Sequence, residues 1–258
     1  MSIQRWKLII EYDGQGYSGW QRQEDGTRTI QSKIEEAFFK FCQKDVRLHV
    51  AGRTDAGVHA MGQIAHCDLD YGDRPLSGID LAKALNAHLR PAPIAILNAE
   101  PVDQEFHARF SAKNKLYRYR FLCRTAPPAI EANRFWHVKG SLDIASMQEG
   151  AKHLLGEHDF TSFRDSQCQA KSPIKTLDRL DITSITYDTQ GGIEVRMEAE
   201  GRSFLHHQVR NIAGTLKLVG EGKWKPEDVK QALDARDRKK AGPTAPAQGL
   251  VLVKIDYT

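Results

Sequence analysis

The spacing of apolar positions predicts a sequence of short elements. "KLIIEYD" (7–13) reads as a strand and is followed by the Gly-rich loop "GQGYSGWQRQEDGT". Ile30, Ile34, Ala37, Phe38 and Phe41 then recur at steps of four, three, one and three, the stripe of an amphipathic helix, with Thr29 placed to cap it. Strands "VRLHVA" and "GQIAHCDL" flank the stretch "AGRTDAGVHA" (51–60). A helix is expected around Ile79 to His88, and a strand, "IAILNAE", after the breaker "PAP".

That order of strand, helix, strand, strand, helix, strand recurs in the second half. "LYRYRFLC" reads as a strand and Ile144 to Leu155 as a helix; two long strands, "LDRLDITSITYD" and "IEVRMEA", are parted by the turn signal "TQGG". A helix "FLHHQVRNIAGTLKLVG", a shorter one "PEDVKQALDAR" and a strand "LVLVKIDY" close the pattern. Two split β-α-β halves in tandem predict an α+β fold: two ferredoxin-like lobes joined into a continuous mixed, mainly antiparallel sheet with helices on one side. The seam is expected near Pro101 to Phe106, giving lobes 1–105 and 106–258.

Composition narrows the class. At 258 residues, 40% hydrophobic and 27% charged, the chain can bury a sizeable core and is not of disordered type. No apolar run approaches the roughly 20 residues that span a bilayer, and "MSIQRWKLII" lacks the apolar core of a secretory signal. Cys42, Cys67, Cys123 and Cys168 form no CxxC pair, which suggests reduced thiols in a cytoplasmic protein rather than a disulfide framework or zinc site. The net charge of +4 decides little. Its distribution says more: Phe106 to Ile130 holds no acid, while Arg109, Lys113, Lys115, Arg118, Arg120 and Arg124 lie inside, interleaved with Tyr117, Tyr119 and Phe121. A polyanion with bases to stack fits such a strip; an edge strand with a solvated basic face is the plainer reading.

Candidate chemistry follows from three positions. Asp55 lies two residues after Arg53 between Gly52 and Gly57; a nearby guanidinium favours the charged carboxylate, which suits a nucleophile or base, although turn aspartates that bond their own backbone share this pattern. Tyr117 shares a strand face with Tyr119 and Phe121, opposite Arg118 and Arg120, and fits either base stacking or core packing. Arg210 lies one step around the helix from the buried Val209, at the border where a guanidinium pairs across a cleft or is simply solvated. His206 and His207, adjacent on a helix, face different directions and make a poor metal pair. The chain has no GxxxxGK[ST] loop and no GxSxG elbow, and "GQGYSG" misses the dinucleotide fingerprint.

Taken together, "AGRTDAGVHA" with the following "GQ", "FHARFSA", "YRYRF", "HDFTSFR", "FLHHQVRNIAG" and "TAPAQGL" resemble the tRNA pseudouridine synthase A family, and "EYDGQGYSGWQRQ" and "TIQSKIEEA" extend the likeness from about residue 8 to the carboxyl terminus. The resemblance implies that Asp55 is the catalytic aspartate, that Tyr117 packs on the target uracil, that Arg210 pairs with the aspartate, and that Arg53 contacts RNA and helps hold the nucleotide out of its stack. It further implies RNA contacts from Phe106, His107 and Arg109 and from Gln167, Cys168 and Gln169. Gln208 departs from the methionine that relatives often carry, which touches only local packing. The implied activity is isomerisation of uridine to pseudouridine at nucleotides 38 to 40 of the tRNA anticodon stem-loop, in a central cleft of a homodimer, with no cofactor and no metal. An RNA-binding module that has lost the chemistry and a nucleoside hydrolase are the alternatives, though the latter commonly needs a second carboxyl group that the sequence does not offer Asp55.

Overall fold

The computed structural model describes residues 3–23, 26–72 and 75–258, so the first two residues of "MSIQRWKLII" and Glu24 and Asp25 of the Gly-rich loop lie outside the described residues. The chain folds as two compact units, Met1–Lys113 with Leu252–Thr258, and Asn114–Val251.

The first unit contains β1 (Gln4–Tyr12), α1 (Ile30–Cys42), β2 (His49–Val50), β3 (His59–Leu69), α2 (Gly78–Leu89) and β4 (Ile94–Val102). Strands β4, β1 and β3 lie side by side and antiparallel. The short β2 pairs with His66 and Ala65 on β3, and the backbone of Val253, near the chain end, comes close to Gly62 of the same strand. Alternation along β1 buries Trp6, Leu8, Ile10 and Tyr12; Ile30, Ile34 and Phe38 of α1 and Leu81, Leu85 and Leu89 of α2 complete this core. α1 starts where the sequence places it: Thr29 Oγ1 accepts from Ser32 N at 3.2 Å and Ser32 Oγ accepts from Thr29 N at 3.2 Å, a reciprocal cap.

The strand expected at "VRLHVA" shrinks to two residues for a definite reason. Leu48 is buried, but its N–H donates to the Glu35 carboxylate (3.1 Å) and its carbonyl accepts from Gln31 Nε2 (3.2 Å), so side chains of α1 take the hydrogen bonds that a ladder would use.

The second unit contains β5 (Asn114–Cys123), β6 (Trp136–Val138), α3 (Ile144–Lys152), β7 (Gly156–Asp159), β8 (Ile174–Leu177), β9 (Arg179–Thr186), β10 (Ile193–Gly201), α4 (Gln208–Gly220) and α5 (Pro226–Asp234). β10 pairs antiparallel with β5 and β9, β6 runs parallel to β5, and β7 and β8 form a separate pair. The α+β class and the dominance of antiparallel pairing agree with the sequence reading. A final strand, Leu250–Asp256, ends the chain. No helix among the described residues is long and apolar enough to cross a membrane.

Two sequence expectations are corrected here. α4 begins at Gln208, four residues after Phe204, because Gln208 Oε1 accepts from Leu205 N (2.8 Å) and His207 adopts φ 61°, outside the helical region. The basic strip of β5 is largely neutralised across the sheet. Arg118 pairs with Glu198 of β10 (2.6 Å), Arg120 with Glu194 of β10 (2.8 Å), and Arg124 with Asp188 (2.6 Å). β5 is therefore flanked on both sides within its unit, and these three guanidiniums face partner carboxylates instead of a solvated edge.

A β-bulge between Ile9 and Ile10 of β1 sets Ile9 opposite Asn98 and Ile10 opposite Ile96, leaving Leu97 unmatched and exposed. Asn86 of α2 braces that point: Nδ2 donates to Ile96 O (2.9 Å) and Oδ1 accepts from Ile96 N (2.8 Å). Asn86→Ala strands both backbone groups, at a cost of about 1–3 kcal/mol, so the melting temperature should fall by about 3–10 °C. A melting curve superimposable on the parent's would show that the brace contributes nothing.

Candidate active site

Asp55 lies on the loop that enters β3, and neutral hydrogen bonds hold that loop down. Gln63, one turn of alternation into β3, donates through Nε2 to Gly52 O (2.8 Å) and to the Tyr12 hydroxyl (3.3 Å). The Tyr12 hydrogen is then left for Thr54 Oγ1, 2.8 Å away. Tyr12, Thr54 and Gln63 are all buried. Burial pushes the Tyr12 hydroxyl up to about 12, partly offset by its bonds to Thr54 and Gln63, so it stays a neutral donor.

A second loop clamps the first from outside. Trp20 N donates to Thr54 O (3.1 Å), Gly57 N to Tyr17 O (3.3 Å), and Val58 N to Asp55 O (3.2 Å), which closes a turn around the aspartate. Gly19 makes this possible: its φ is 83°, and a Cβ there would lie 2.7 Å from Thr54 O. Asp55 is half-buried at the tip, and Arg53 is exposed on the same loop. Tyr12 and Gln63 were not singled out from sequence. The signal was present: a polar residue inside the apolar run "GQIAHCDL" and a tyrosine on the inward phase of β1.

In the second unit the start of α4 gathers the remaining candidates. Arg210 is half-buried; its Nε donates to Ala245 O (2.8 Å) while Ala245 N donates back to Arg210 O (3.2 Å). Asn211, fully buried, donates to Phe163 O (2.8 Å) and accepts from Arg238 (3.0 Å) and Thr244 (2.7 Å), so it ties the "HDFTSF" and "TAPA" segments to the helix. Sequence reasoning passed over Asn211 beside Arg210. Tyr117 is buried with its ring edge-on to Phe204, 5.2 Å between centroids; Tyr119, two residues on, donates to Pro246 O (2.8 Å).

Gln167 and Cys168 lie in a turn closed by Cys168 N on Asp165 O (3.1 Å), with Gln169 just after it, and the turn is pinned to the same place. Asp165 accepts from Gln167 N (2.8 Å), and its other oxygen lies 2.8 Å from His207 Nδ1. The backbone bond to Gln167 first, and then the nearby His207 and His206, hold the Asp165 carboxyl below the usual range. His206 and His207 do not diverge as expected on a helix: their ring centres lie 3.9 Å apart with the planes tilted by 35°, and both turn to Asp165, because His207 precedes the helix in left-handed geometry.

Phe106, His107 and Arg109 cluster at the far end of the first unit's sheet. Arg5 of β1 donates to Phe106 O (3.0 Å), whereas Tyr12, seven residues along, meets the Asp55 loop; the strand rise separates these points by about 20 Å. Phe106 packs on Tyr257 (5.1 Å), and His107 lies between His66 (4.7 Å) and the exposed Phe110 (4.4 Å). His66 is buried and accepts from Ala108 N through Nδ1 (3.1 Å), which requires that nitrogen to be unprotonated.

Comparison with known proteins gives a consistent result. The family model described as tRNA pseudouridine synthase matches residues 8–111 and 151–258. The chain is 54% identical to tRNA pseudouridine synthase A of Paramagnetospirillum magneticum over 98% of its own length and 95% of that protein's. It is 53% identical to the enzyme of the same name from Rhodospirillum centenum, over 99% and 100% of the two lengths. A solved Cbf5–Nop10–Gar1 complex overlaps 95% of this chain at 9% identity and a TM-score of 0.31, too slight a likeness to define the fold.

Two outcomes are expected. Tyr12→Phe removes one buried hydroxyl bond, worth about 1–2 kcal/mol. Amide exchange at Thr54 to Gly57 should then rise about tenfold or more while exchange in β1 and β4 is unchanged; uniform exchange across the unit would show that the loop is not locally braced. His66 is pushed down to about 4, by burial first and then by the His107 and His49 rings beside it. Between pH about 4 and 6.5 the unfolded chain binds a proton that the folded chain refuses, so stability falls on acidification through that window. An NMR titration should find the His66 ring neutral at pH 5.5, and a midpoint near 6.5 would contradict its burial against Ala108 N.

Proposed function

The chain belongs to the tRNA pseudouridine synthase family and is an isomerase acting on uridine in tRNA; from that premise we propose that its targets are nucleotides 38 to 40 of the anticodon stem-loop and that Asp55 carries the chemistry. Isomerisation breaks the N1–C1′ bond, turns the uracil and forms the C5–C1′ bond; C5 loses a proton and N1 gains one. Atoms balance within the nucleotide, so the reaction itself consumes no redox partner or cosubstrate. A carboxylate serves it by attacking C1′, attacking C6 of the ring, or taking a proton from C2′.

The observation that carries this reading is the half-buried Asp55 on a loop tied down through Thr54, Gly52 and Gly57. A stiff loop holds a reacting group near its attack geometry and removes an orientational cost from the barrier. The target base lies within a stem-loop, so it is flipped out at a cost of a few kcal/mol. In this proposal Tyr117 covers the uracil face, Arg210 is the guanidinium partner of Asp55, and Arg53 helps hold the extruded nucleotide. Phe106, His107 and Arg109, with Gln167, Cys168 and Gln169, extend the footprint along the RNA. The lobes 1–105 and 106–258 divide the roles, the aspartate loop in one and the aromatic strand and arginine helix in the other. The acting species is a cytoplasmic homodimer without cofactor.

The test is tritium release from tRNA carrying 5-tritiated uridine. The parent protein should free tritium, and Asp55→Asn should release it at least 1,000-fold more slowly, about 4 kcal/mol in barrier, with tRNA affinity changed less than threefold. Release by Asp55→Asn at a rate near the parent's would remove Asp55 from its role, and free uracil in place of pseudouridine would make the protein a hydrolase.

A further inference from the structure

Arg118, Arg120 and Arg124 of the second unit face carboxylates, and a concentration of positive charge lies in the first unit. A groove of about 470 Å³ opens between α1 and the turn that follows α2, and its walls carry Arg28, Lys33, Lys40, His88 and Arg90 against one carboxylate, Glu36. The whole chain is nearly balanced, 37 basic residues to 33 acidic, so the convergence of four full cations on one concavity is local. A larger hollow in the same unit, about 660 Å³, is lined by Asp103 and Glu105 and has no such excess.

The arrangement within the groove is ordered. Lys33, Glu36 and Lys40 follow helical spacing on one face of α1, and Glu36 holds both ammoniums, Lys33 at 2.6 Å and Lys40 at 2.8 Å, with one oxygen each. That trio keeps a net charge of +1, and Arg28 and Arg90 raise the groove to +3. The groove also adjoins the brace of the aspartate loop. The Arg28 guanidinium lies 4.4 Å from the centre of the Tyr17 ring and donates to its hydroxyl (3.0 Å), and Tyr17 O is the acceptor for Gly57 N.

We propose that this groove is a binding site for the phosphodiester backbone of the tRNA substrate, engaging the strand that leads to or from the nucleotide presented to Asp55. Lys33 and Lys40 stand about 10 Å apart along the helix, and with Arg28 and Arg90 they span two or three phosphates. Arginine forks and lysine point charges both suit phosphate oxygens, and such contacts set register without reading sequence. Glu36 limits the attraction: it orders the lysines and lowers the field that RNA meets.

The inference rests on the function proposed above, and one experiment separates the two. Binding of unmodified tRNA to the full-length protein is measured from 50 to 300 mM salt, with pseudouridine formation followed in parallel. Lys40→Gln with Arg90→Gln should weaken binding about tenfold or more and flatten the log–log salt slope by about 1.5, the loss appearing in KM rather than kcat. Glu36→Gln should tighten binding about threefold and steepen the slope by about 1, a gain that misfolding does not produce. A parent that binds and modifies tRNA, with both variants keeping its affinity and slope, overturns the groove alone. A parent that binds but forms no pseudouridine overturns the function proposed above, and with it the groove's role in presenting substrate.

Discussion

The hydrogen bond between the buried hydroxyls of Tyr12 and Thr54 is the constraint on which the position of the Asp55 loop depends. It joins the end of β1 to the residue before Asp55, and Gln63 extends it to Gly52, while Gly57 N bonds Tyr17 O beyond it, so the loop is fixed on both sides of its carboxylate. Neutral groups do this work. Hydroxyls and amides satisfy one another beneath the loop and carry no charge of their own.

The second unit follows the same logic with different parts. Arg210 is gripped through its backbone and Nε by one residue, Ala245, and its neighbour Asn211 gathers Phe163, Arg238 and Thr244. Gly214 allows the strap to lie this close: a Cβ there would meet Pro243 O at 1.7 Å. The segments "HDFTSF" and "TAPA" are therefore held by polar bonds to one helix. In both units buried polar residues on regular elements hold the loops in place.

The sequence yielded what is periodic and local. The stripe Ile30–Ile34–Phe38 placed α1 and its cap, and the glycine-flanked Asp55 stood out because a lone carboxylate on such a turn is chemically suggestive. What it hid depends on residues distant along the chain. Arg118 and Arg120 look like a free basic strip until β10 brings Glu198 and Glu194 beside them, more than 70 positions later. The strand at "VRLHVA" fails because Glu35 and Gln31, a helix away, take the backbone groups of Leu48. The start of α4 turns on one side chain, Gln208, capping three residues back. Lys33, Glu36 and Lys40 went unremarked in the sequence although their spacing puts them on one face of α1, and only the fold adds Arg28 and Arg90.

The most direct measurement is a crystal structure of the Asp55→Asn protein bound to an anticodon stem-loop RNA. The account predicts one uridine turned out of the stem-loop, with its C1′ or C6 within about 3.5 Å of the side chain at position 55 and the Tyr12–Thr54 bond intact beneath it. A uridine still stacked in the RNA, or one extruded against any other part of the protein, would contradict it.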